Sequence, residues 1–133
     1  MEKQTLQVVS EFVTAVQQMN QEKLAALLHP DVKWHQPGNH RFSGVKQNCM
    51  EVFQMVGGMF QVSENTLALT DIKLLAVNGN SAACVLHFKA TRPGATLDTD
   101  NIDVYTVADG KIIEARIHVQ DPEQEDTFWG KTN

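Results

Sequence analysis

The chain has 133 residues, a usual size for one domain, and 42% hydrophobic with 20% charged residues is the composition of a globular protein. This composition excludes a disordered chain. The net charge is −5 and the Lys and Arg residues are scattered along the sequence, which excludes nucleic acid and anionic membrane as partners because both need concentrated positive charge.

Apolar runs in the sequence are short. Runs such as Ala82–Leu86 fall far below the ~18 residues of a membrane span, and the polar start Met1–Gln4 is unlike an export signal. The two cysteines, Cys49 and Cys84, lie in segments with a helical and a strand pattern, without CxxC spacing. We therefore expect core thiols in a reducing compartment and a cytoplasmic protein.

The first part of the chain has a helical pattern. Apolar residues at helical spacing predict a first helix over Thr5–Met19, and Asn20 caps a second, shorter one that ends at His29–Asp31. Val32–Gln36 alternates and predicts a strand with Trp34 and Gln36 on one face. The apolar positions of Val45–Phe60 predict a third helix.

The pattern changes to strands after Asn65. Four strands are predicted, over residues 67–77, 81–91, 96–108 and 111–120, joined by Asn78-Gly79, Arg92-Pro93-Gly94 and Asp109-Gly110 turns. Three consecutive hairpins make an antiparallel meander. The sequence therefore predicts an α+β cone in which a curved, mainly antiparallel sheet packs on three N-terminal helices around a pocket, as one domain over residues 1–133.

Two features near the end of the chain are less regular. The last strand places Ile113, Ala115, Ile117 and Val119 on one face, which we expect to point inward. The strand before it has polar residues on both faces, and alternation alone favours Ile102 and Val104 inside and Asp103 in water. In the acidic tail from Asp121, Phe128-Trp129 could close the open end of the cone or pack across a dimer.

Several short motifs occur together in a recognisable order. They include Asn101-Ile102-Asp103-Val104-Tyr105, Gly110–Arg116, the Asn20 junction and Gln36-Pro37. In order and spacing they resemble the nuclear transport factor 2-like superfamily, with its ketosteroid isomerase and SnoaL-like polyketide cyclase families, over nearly the whole chain. The resemblance implies that this strand turns Asp103, and not Ile102, toward the pocket.

Asp103 matches the aspartic acid that stays protonated in ketosteroid isomerase and donates a hydrogen bond to the substrate oxyanion. Enclosure among apolar walls is expected to raise its pKa. The isomerase's tyrosine donor is replaced by Phe12 and its aspartate base by Gln36, so isomerase activity by the usual residues is not expected. Limonene epoxide hydrolases, which have a similar fold, carry an arginine at the position of Asn101, so their catalytic arrangement is not expected here. SnoaL-like cyclases use an acidic or basic group on the last strands. Arg116 and His118 are the nearest candidates for that group, but both are expected to face outward.

The resemblance implies a small, mostly apolar, carbonyl-bearing ligand and cofactor-independent proton transfer through Asp103, and the alternative is a non-catalytic ligand-binding or dimerisation module of the same fold. Neither a cofactor motif nor metal-ligand spacing occurs. His35 and His40 could reach the pocket mouth, but unpaired loop histidines are usually solvated. The predicted ligand-binding residues are Phe12, Trp34, Gln36, Phe53, Leu86, Phe88, Asn101 and Tyr105, the last of which could instead only fill the wall.

A second copy of the chain is the expected protein partner. Val85, His87, Val104 and His118 share the convex face of the predicted sheet, where β-branched residues are exposed with few charges between them. Members of the family that this chain resembles often pair through this face. We therefore expect a homodimer through the sheet.

Overall fold

The computed structural model describes residues 1–131, and its first two helices are those that the sequence predicts. Helix α1, Glu2–Gln18, ends where Met19 adopts a left-handed conformation, with φ of 59°. Helix α2, Gln21–Leu27, is capped by Asn20, whose side chain accepts a hydrogen bond of 3.1 Å from the Lys23 backbone N–H. This cap satisfies one of the free donors at the start of the helix and fixes the junction between the two helices.

The segment after α2 differs from the prediction at both of its ends. Strand β1, Leu28–Gln36, begins earlier than predicted, because Leu28 already pairs with Ile112 of the last strand. Val45 was predicted to lie in the third helix, which is wrong: it lies in the short strand β2, Gly44–Lys46, and is 45% exposed. Helix α3, Cys49–Val62, starts only after Asn48, whose side chain caps it.

The remaining strands form the predicted meander. They are β3, Ala68–Asn78; β4, Ser81–Arg92; β5, Ala95–Ala108; and β6, Lys111–Val119. The sheet order is β2-β1-β6-β5-β4-β3, in which β1 and β6 pair in parallel and all other neighbours are antiparallel. The predicted α+β class, with a curved and mainly antiparallel sheet against helices, is confirmed.

A bulge changes the face assignment at the start of β6. Thr106 pairs with Glu114 but Val107 pairs with Ile112, so one residue of β6 has no opposite partner. As a result Ile112 is fully buried and Ile113 is only partly buried, whereas the alternation had placed Ile113 inside. Beyond the bulge, Ala115 and Ile117 point inward as predicted.

A fourth helix, α4, Pro122–Trp129, was not predicted. Asp121 caps it and Pro122 occupies its first turn, a sequence that favours a helix start. Phe128 and Trp129 are 1% and 2% exposed within their own chain, so they close the open end of the cone. Arg92 holds the helix by donating hydrogen bonds of 2.6 and 3.1 Å to the carbonyls of Phe128 and Thr127.

The buried apolar residues of the helices, the concave sheet face and α4 form a continuous core. Helix α3 packs closely against Phe42, because a Cβ atom at Gly58 would lie 2.6 Å from Cε1 of Phe42. The Phe42 ring in turn packs edge-on against Trp129 of α4, with 5.5 Å between centroids. Within residues 1–131, no helix is long and apolar enough to cross a membrane.

Candidate functional site

A cavity of about 630 Å³ lies between the helices, the concave face of the sheet and α4. Its size is that of a site for a small organic molecule, and most of its wall is apolar. The structure brings together every site residue that the sequence predicts, since all of them line this cavity: Phe12, Trp34, Gln36, Phe53, Leu86, Phe88, Asn101, Asp103 and Tyr105. Their roles in binding or catalysis stay predictions.

Strand β5 supplies Asn101, Asp103 and Tyr105 to the cavity through its register with its two neighbours. Asp103 pairs with Cys84 of β4 and Ile117 of β6, both of which are buried, so its side chain points inward with theirs. Asp103 is 3% exposed, whereas Ile102 is 49% exposed on the opposite face. The expectation from alternation alone, with Ile102 inside, is therefore wrong.

Three aromatic rings form one side of the cavity. The rings of Phe12 and Tyr105 meet edge to face at 5.3 Å, and Trp34 lies 6.3 Å from Phe12 and 6.1 Å from Tyr105 between centroids. The indole N–H of Trp34 donates a 2.9 Å hydrogen bond to Oε1 of Gln36. Since an indole nitrogen only donates, this bond leaves the amide nitrogen of Gln36 available to donate to a ligand.

The carboxyl group of Asp103 is enclosed by this apolar wall. The Tyr105 hydroxyl donates a 2.7 Å hydrogen bond to Oδ2, while Oδ1 is buried without a hydrogen-bond partner. Burial raises the pKa of Asp103 to about 7; the Tyr105 hydrogen bond opposes this rise and the charge of Glu125 adds to it. The direction agrees with the sequence-based expectation, and it places the carboxyl near the boundary between donor and acceptor at neutral pH.

Glu125 is a second buried carboxyl in the cavity, and it is not among the site residues predicted from the sequence. It is 4% exposed, and its Oε2 has no hydrogen-bond partner. Burial raises its pKa to about 7; the nearby Trp129 indole N–H opposes this rise without reaching hydrogen-bond geometry, and Asp121 and Asp126 add to it. The signal that could have found it was the cap Asp121-Pro122, which starts a helix with Glu125, Phe128 and Trp129 on one face.

Unpaired polar atoms occur in the lining of this mostly apolar cavity. Within residues 1–131, four buried side-chain atoms have no hydrogen-bond partner, and all four belong to residues that line the cavity: Asn101 Oδ1, Asp103 Oδ1, Glu125 Oε2 and Trp129 Nε1. A buried polar group without a partner costs about 1–3 kcal/mol. A ligand with both donor and acceptor atoms would offset this cost, so these polar groups are equipped to orient a ligand.

The histidines do not take part in the cavity wall. Nε2 of His35 lies 3.0 Å from Oε2 of Glu114, and the buried His40 accepts a hydrogen bond from the Phe42 backbone through Nδ1. The expectation that these two histidines could reach the pocket mouth is therefore not met. His87 and His118 lie on the other side of the sheet, where His87 binds the carboxylates of Asp98 and Asp100.

The two cysteines lie in different environments. Cys84 is fully buried, and burial raises the pKa of its thiol to about 12, which makes it an unreactive core group. Cys49 is partly buried at the start of α3.

In the part of the chain that the structure describes, no group of three or more His, Cys, Asp or Glu residues could hold a metal ion.

Comparisons with known proteins agree with this fold. A model of the SnoaL-like domain matches residues 9–115. A Xanthomonas campestris protein of unknown function with a cystatin-like fold is 37% identical, with a TM-score of 0.92 over 96% of this chain and 98% of that one. An uncharacterized Mycobacterium tuberculosis protein is 27% identical over 107 residues, 80% of this chain and 82% of that protein.

A structure from Jannaschia, assigned provisionally to the SnoaL-like polyketide cyclases, shares the fold with a TM-score of 0.77 at 13% identity, over 98% of this chain and 95% of that one. The family match covers most of the chain and includes β5 with Asp103. The SnoaL-like family and the nuclear transport factor 2-like fold predicted from the sequence are thereby confirmed. The chain belongs to the family of SnoaL-like domains, and it has the fold of a nuclear transport factor 2-like protein.

Proposed function

We propose that the cavity binds a small, mostly apolar molecule with a carbonyl oxygen, and that protonated Asp103 donates a hydrogen bond to that oxygen. The observation that carries the proposal is the buried, unpartnered Oδ1 of Asp103, a residue in the lining of a mostly apolar cavity. Protonated, Asp103 would donate from Oδ1 while Oδ2 keeps the hydrogen bond from Tyr105. The aromatic wall would hold the apolar part of the molecule, and Gln36 and Asn101 would orient its polar part.

The reaction that this arrangement favours is cofactor-independent proton transfer next to the carbonyl group. A hydrogen bond from a buried donor stabilises the negative charge that develops on the carbonyl oxygen as a neighbouring C–H bond loses its proton. The SnoaL-like polyketide cyclase assignment of the Jannaschia relative agrees with a carbonyl-bearing substrate. By the sequence resemblance, Phe12 and Gln36 stand where the isomerase has its tyrosine and its base, so the usual isomerase residues would not supply this chemistry.

The second candidate function is ligand binding without catalysis. Phe12 and Gln36 favour it, because neither side chain can take up a proton at neutral pH. Both candidates need the same cavity and the same hydrogen bond from Asp103. They differ only in whether a group in the cavity removes a proton from the bound molecule.

The shared part of the proposal can be tested with 2-tetralone, a fused-ring ketone whose oxygen only accepts hydrogen bonds. Trp34 and Trp129 both line the cavity, so quenching of tryptophan fluorescence reports binding. We expect affinity to fall as pH rises through about 7, because Asp103 then loses the proton that it donates. Asp103→Asn keeps the shape and a donor but removes this titration, so most of the pH dependence should disappear.

Asp71→Asn is the matched control, because Asp71 is exposed on β3 and its loss removes one carboxylate without touching the cavity. It should retain the pH profile of the unmodified protein. If Asp103→Asn also retained that profile, Asp103 would not be the donor. If 2-tetralone did not bind at any pH, the proposed ligand class would be wrong.

A further inference from the structure

Two carboxyl groups from different elements face one cavity. Asp103 comes from β5 and Glu125 from α4, both line the cavity, and each has one buried oxygen without a hydrogen-bond partner. The family match ends at residue 115, before α4 begins, so nothing in the family assignment gives Glu125 a role. The cavity therefore contains a carboxyl group beyond the one that the proposed function uses.

We propose that Glu125 is the proton acceptor of this cavity and that it acts opposite Asp103 on apolar ketones with an acidic C–H bond next to the carbonyl group. This inference rests on the proposed function, because it needs a ketone held by Asp103. It also resolves the choice left open there, since it supplies the base that Phe12 and Gln36 cannot provide.

The position of Glu125 is fixed by contacts at both ends of α4. Near its start, the Asp98 backbone N–H donates to Oε1 of Gln124 at 2.6 Å. Near its end, Arg92 binds two carbonyls, and the Asn39 backbone N–H donates to Oδ1 of Asp126 at 2.8 Å. These contacts hold the helix across the open end of the cone, and Glu125 lines the same cavity as Asp103.

The charged groups near the cavity determine the protonation of Asp103 and Glu125. The cavity lining contains no lysine or arginine among residues 1–131, and the side chains of Arg92 and Asp126 bind backbone groups instead. Burial raises the pKa of both carboxyls to about 7, and the charge of Glu125 raises that of Asp103. Ionised Glu125 therefore favours the protonated form of Asp103, so near pH 7 the cavity can contain one carboxylate base and one carboxylic acid.

The proposed step is balanced without any other reactant. The Glu125 carboxylate takes the proton from the carbon next to the ketone, and the electron pair of that C–H bond becomes the C=C bond of the enol. The carbonyl π electrons move to oxygen, which takes the proton of Asp103. Return of a proton from Glu125 to carbon, and of the enol proton to Asp103, restores the ketone and both groups. In D₂O, the proton taken up by Glu125 exchanges with solvent for a deuteron before carbon is reprotonated, so the cycle replaces the hydrogen with deuterium.

The test uses 2-tetralone in D₂O and follows loss of its C–H signals by ¹H NMR. Glu125→Gln keeps the size and polarity of the side chain but removes the base, so we expect the protein-catalysed exchange rate to fall by about a hundredfold or more. Glu123→Gln is the matched control, because Glu123 is an exposed carboxylate of the same helix and should leave the rate unchanged. Both variants should still bind 2-tetralone.

A second readout separates catalysis from a structural role. Because the charge of Glu125 raises the pKa of Asp103, Glu125→Gln should move the pH midpoint of 2-tetralone binding downward, whereas Glu123→Gln should not. Binding without exchange by the unmodified protein, or full exchange by Glu125→Gln, would overturn the inference and leave the proposed ligand site standing. Absence of binding would instead remove the proposed function and this inference with it.

Discussion

The hydroxyl of Tyr105 donates a 2.7 Å hydrogen bond to Oδ2 of Asp103, two residues away on the same face of β5. Both side chains are buried, at 1% and 3% exposure. The sequence left Tyr105 as either a ligand contact or a filler of the wall, and the structure shows a third use, as the partner of the buried carboxyl. This bond orients Asp103 and leaves its Oδ1 toward the cavity.

Tyr105→Phe should raise the pKa of Asp103 above its value of about 7. The Tyr105 hydrogen bond stabilises the ionised carboxyl, and the variant lacks this bond. It should also lower the free energy of unfolding by about 1 kcal/mol, the usual worth of one hydrogen bond. A ¹³C NMR titration of the aspartate side chains measures the first effect and urea unfolding the second. An unchanged or lowered Asp103 titration would contradict this account of the pair.

The free energy of unfolding should decrease as pH rises from about 4 to about 7. Asp103 and Glu125 have pKa values of about 7 in the folded chain, against the 3.8 and 4.5 of ordinary carboxyls. The folded chain therefore binds more protons than the unfolded chain in this interval, and the stability is complete below it and is lost as pH rises through about 7. Each group contributes a slope of at most about 1.4 kcal/mol per pH unit.

Urea unfolding of the unmodified chain and of the double variant Asp103→Asn with Glu125→Gln measures this effect by difference. The double variant should lose most of the slope. The free energy of unfolding of the double variant minus that of the unmodified chain should therefore be larger above about pH 8 than at about pH 5. Equal slopes for both proteins would show that these carboxyls are not the groups whose ionisation the fold opposes.

Two adjacent glycines of α3 give a matched pair of alanine substitutions. At Gly57 a Cβ atom meets nothing within 4 Å, so Gly57→Ala should raise the free energy of unfolding by about 0.5–1 kcal/mol through helix propensity. At Gly58 it would lie 2.6 Å from the Phe42 ring, which is held against Trp129, so Gly58→Ala should instead cost about 1–3 kcal/mol. Thermal unfolding distinguishes them, and equal stabilisation would refute the packing of Phe42.

Pairing of two copies through the convex face of the sheet stays a prediction from the sequence. The structure places Leu74, Val85, Ile102 and His118 as direct neighbours across four strands on this face, with Leu74 58% and Ile102 49% exposed. Ile102→Asp should convert the dimer to a monomer in sedimentation, whereas Met50→Asp, at an exposed apolar site on α3, should not. A monomeric unmodified protein at micromolar concentration would rule out the pairing.

Local signals in the sequence were sufficient to predict most of the helices and strands. The Asn20 cap and the hairpin turns at Asn78-Gly79 and Asp109-Gly110 fix boundaries through their own backbone preferences, and the structure agrees with each. Strand β2 was missed because a strand of three residues has too few positions for alternation, and its Val45 continued the apolar spacing of α3.

The inward face of β5 could not be predicted from its own residues. Asp98, Asp100 and Asp103 put carboxyls on both faces, so alternation does not decide between them. The face is set by pairing with β4 and β6, which lies outside any local pattern. Glu125 was not predicted as a site residue for a different reason. Helix α4 has only eight residues, and the acidic residues around Glu125 resemble a solvated tail.

The parallel pairing of β1 with β6 has a consequence for how the protein matures during synthesis. The hairpins from β3 to β6 join neighbours in the chain and can form soon after they leave the ribosome, while β1 must wait for the last strand. Trp34 and Gln36 of β1 reach the cavity only when that strand docks, and Glu125 is translated later still. A nascent chain can therefore contain most of the sheet before it has any place for a ligand to bind.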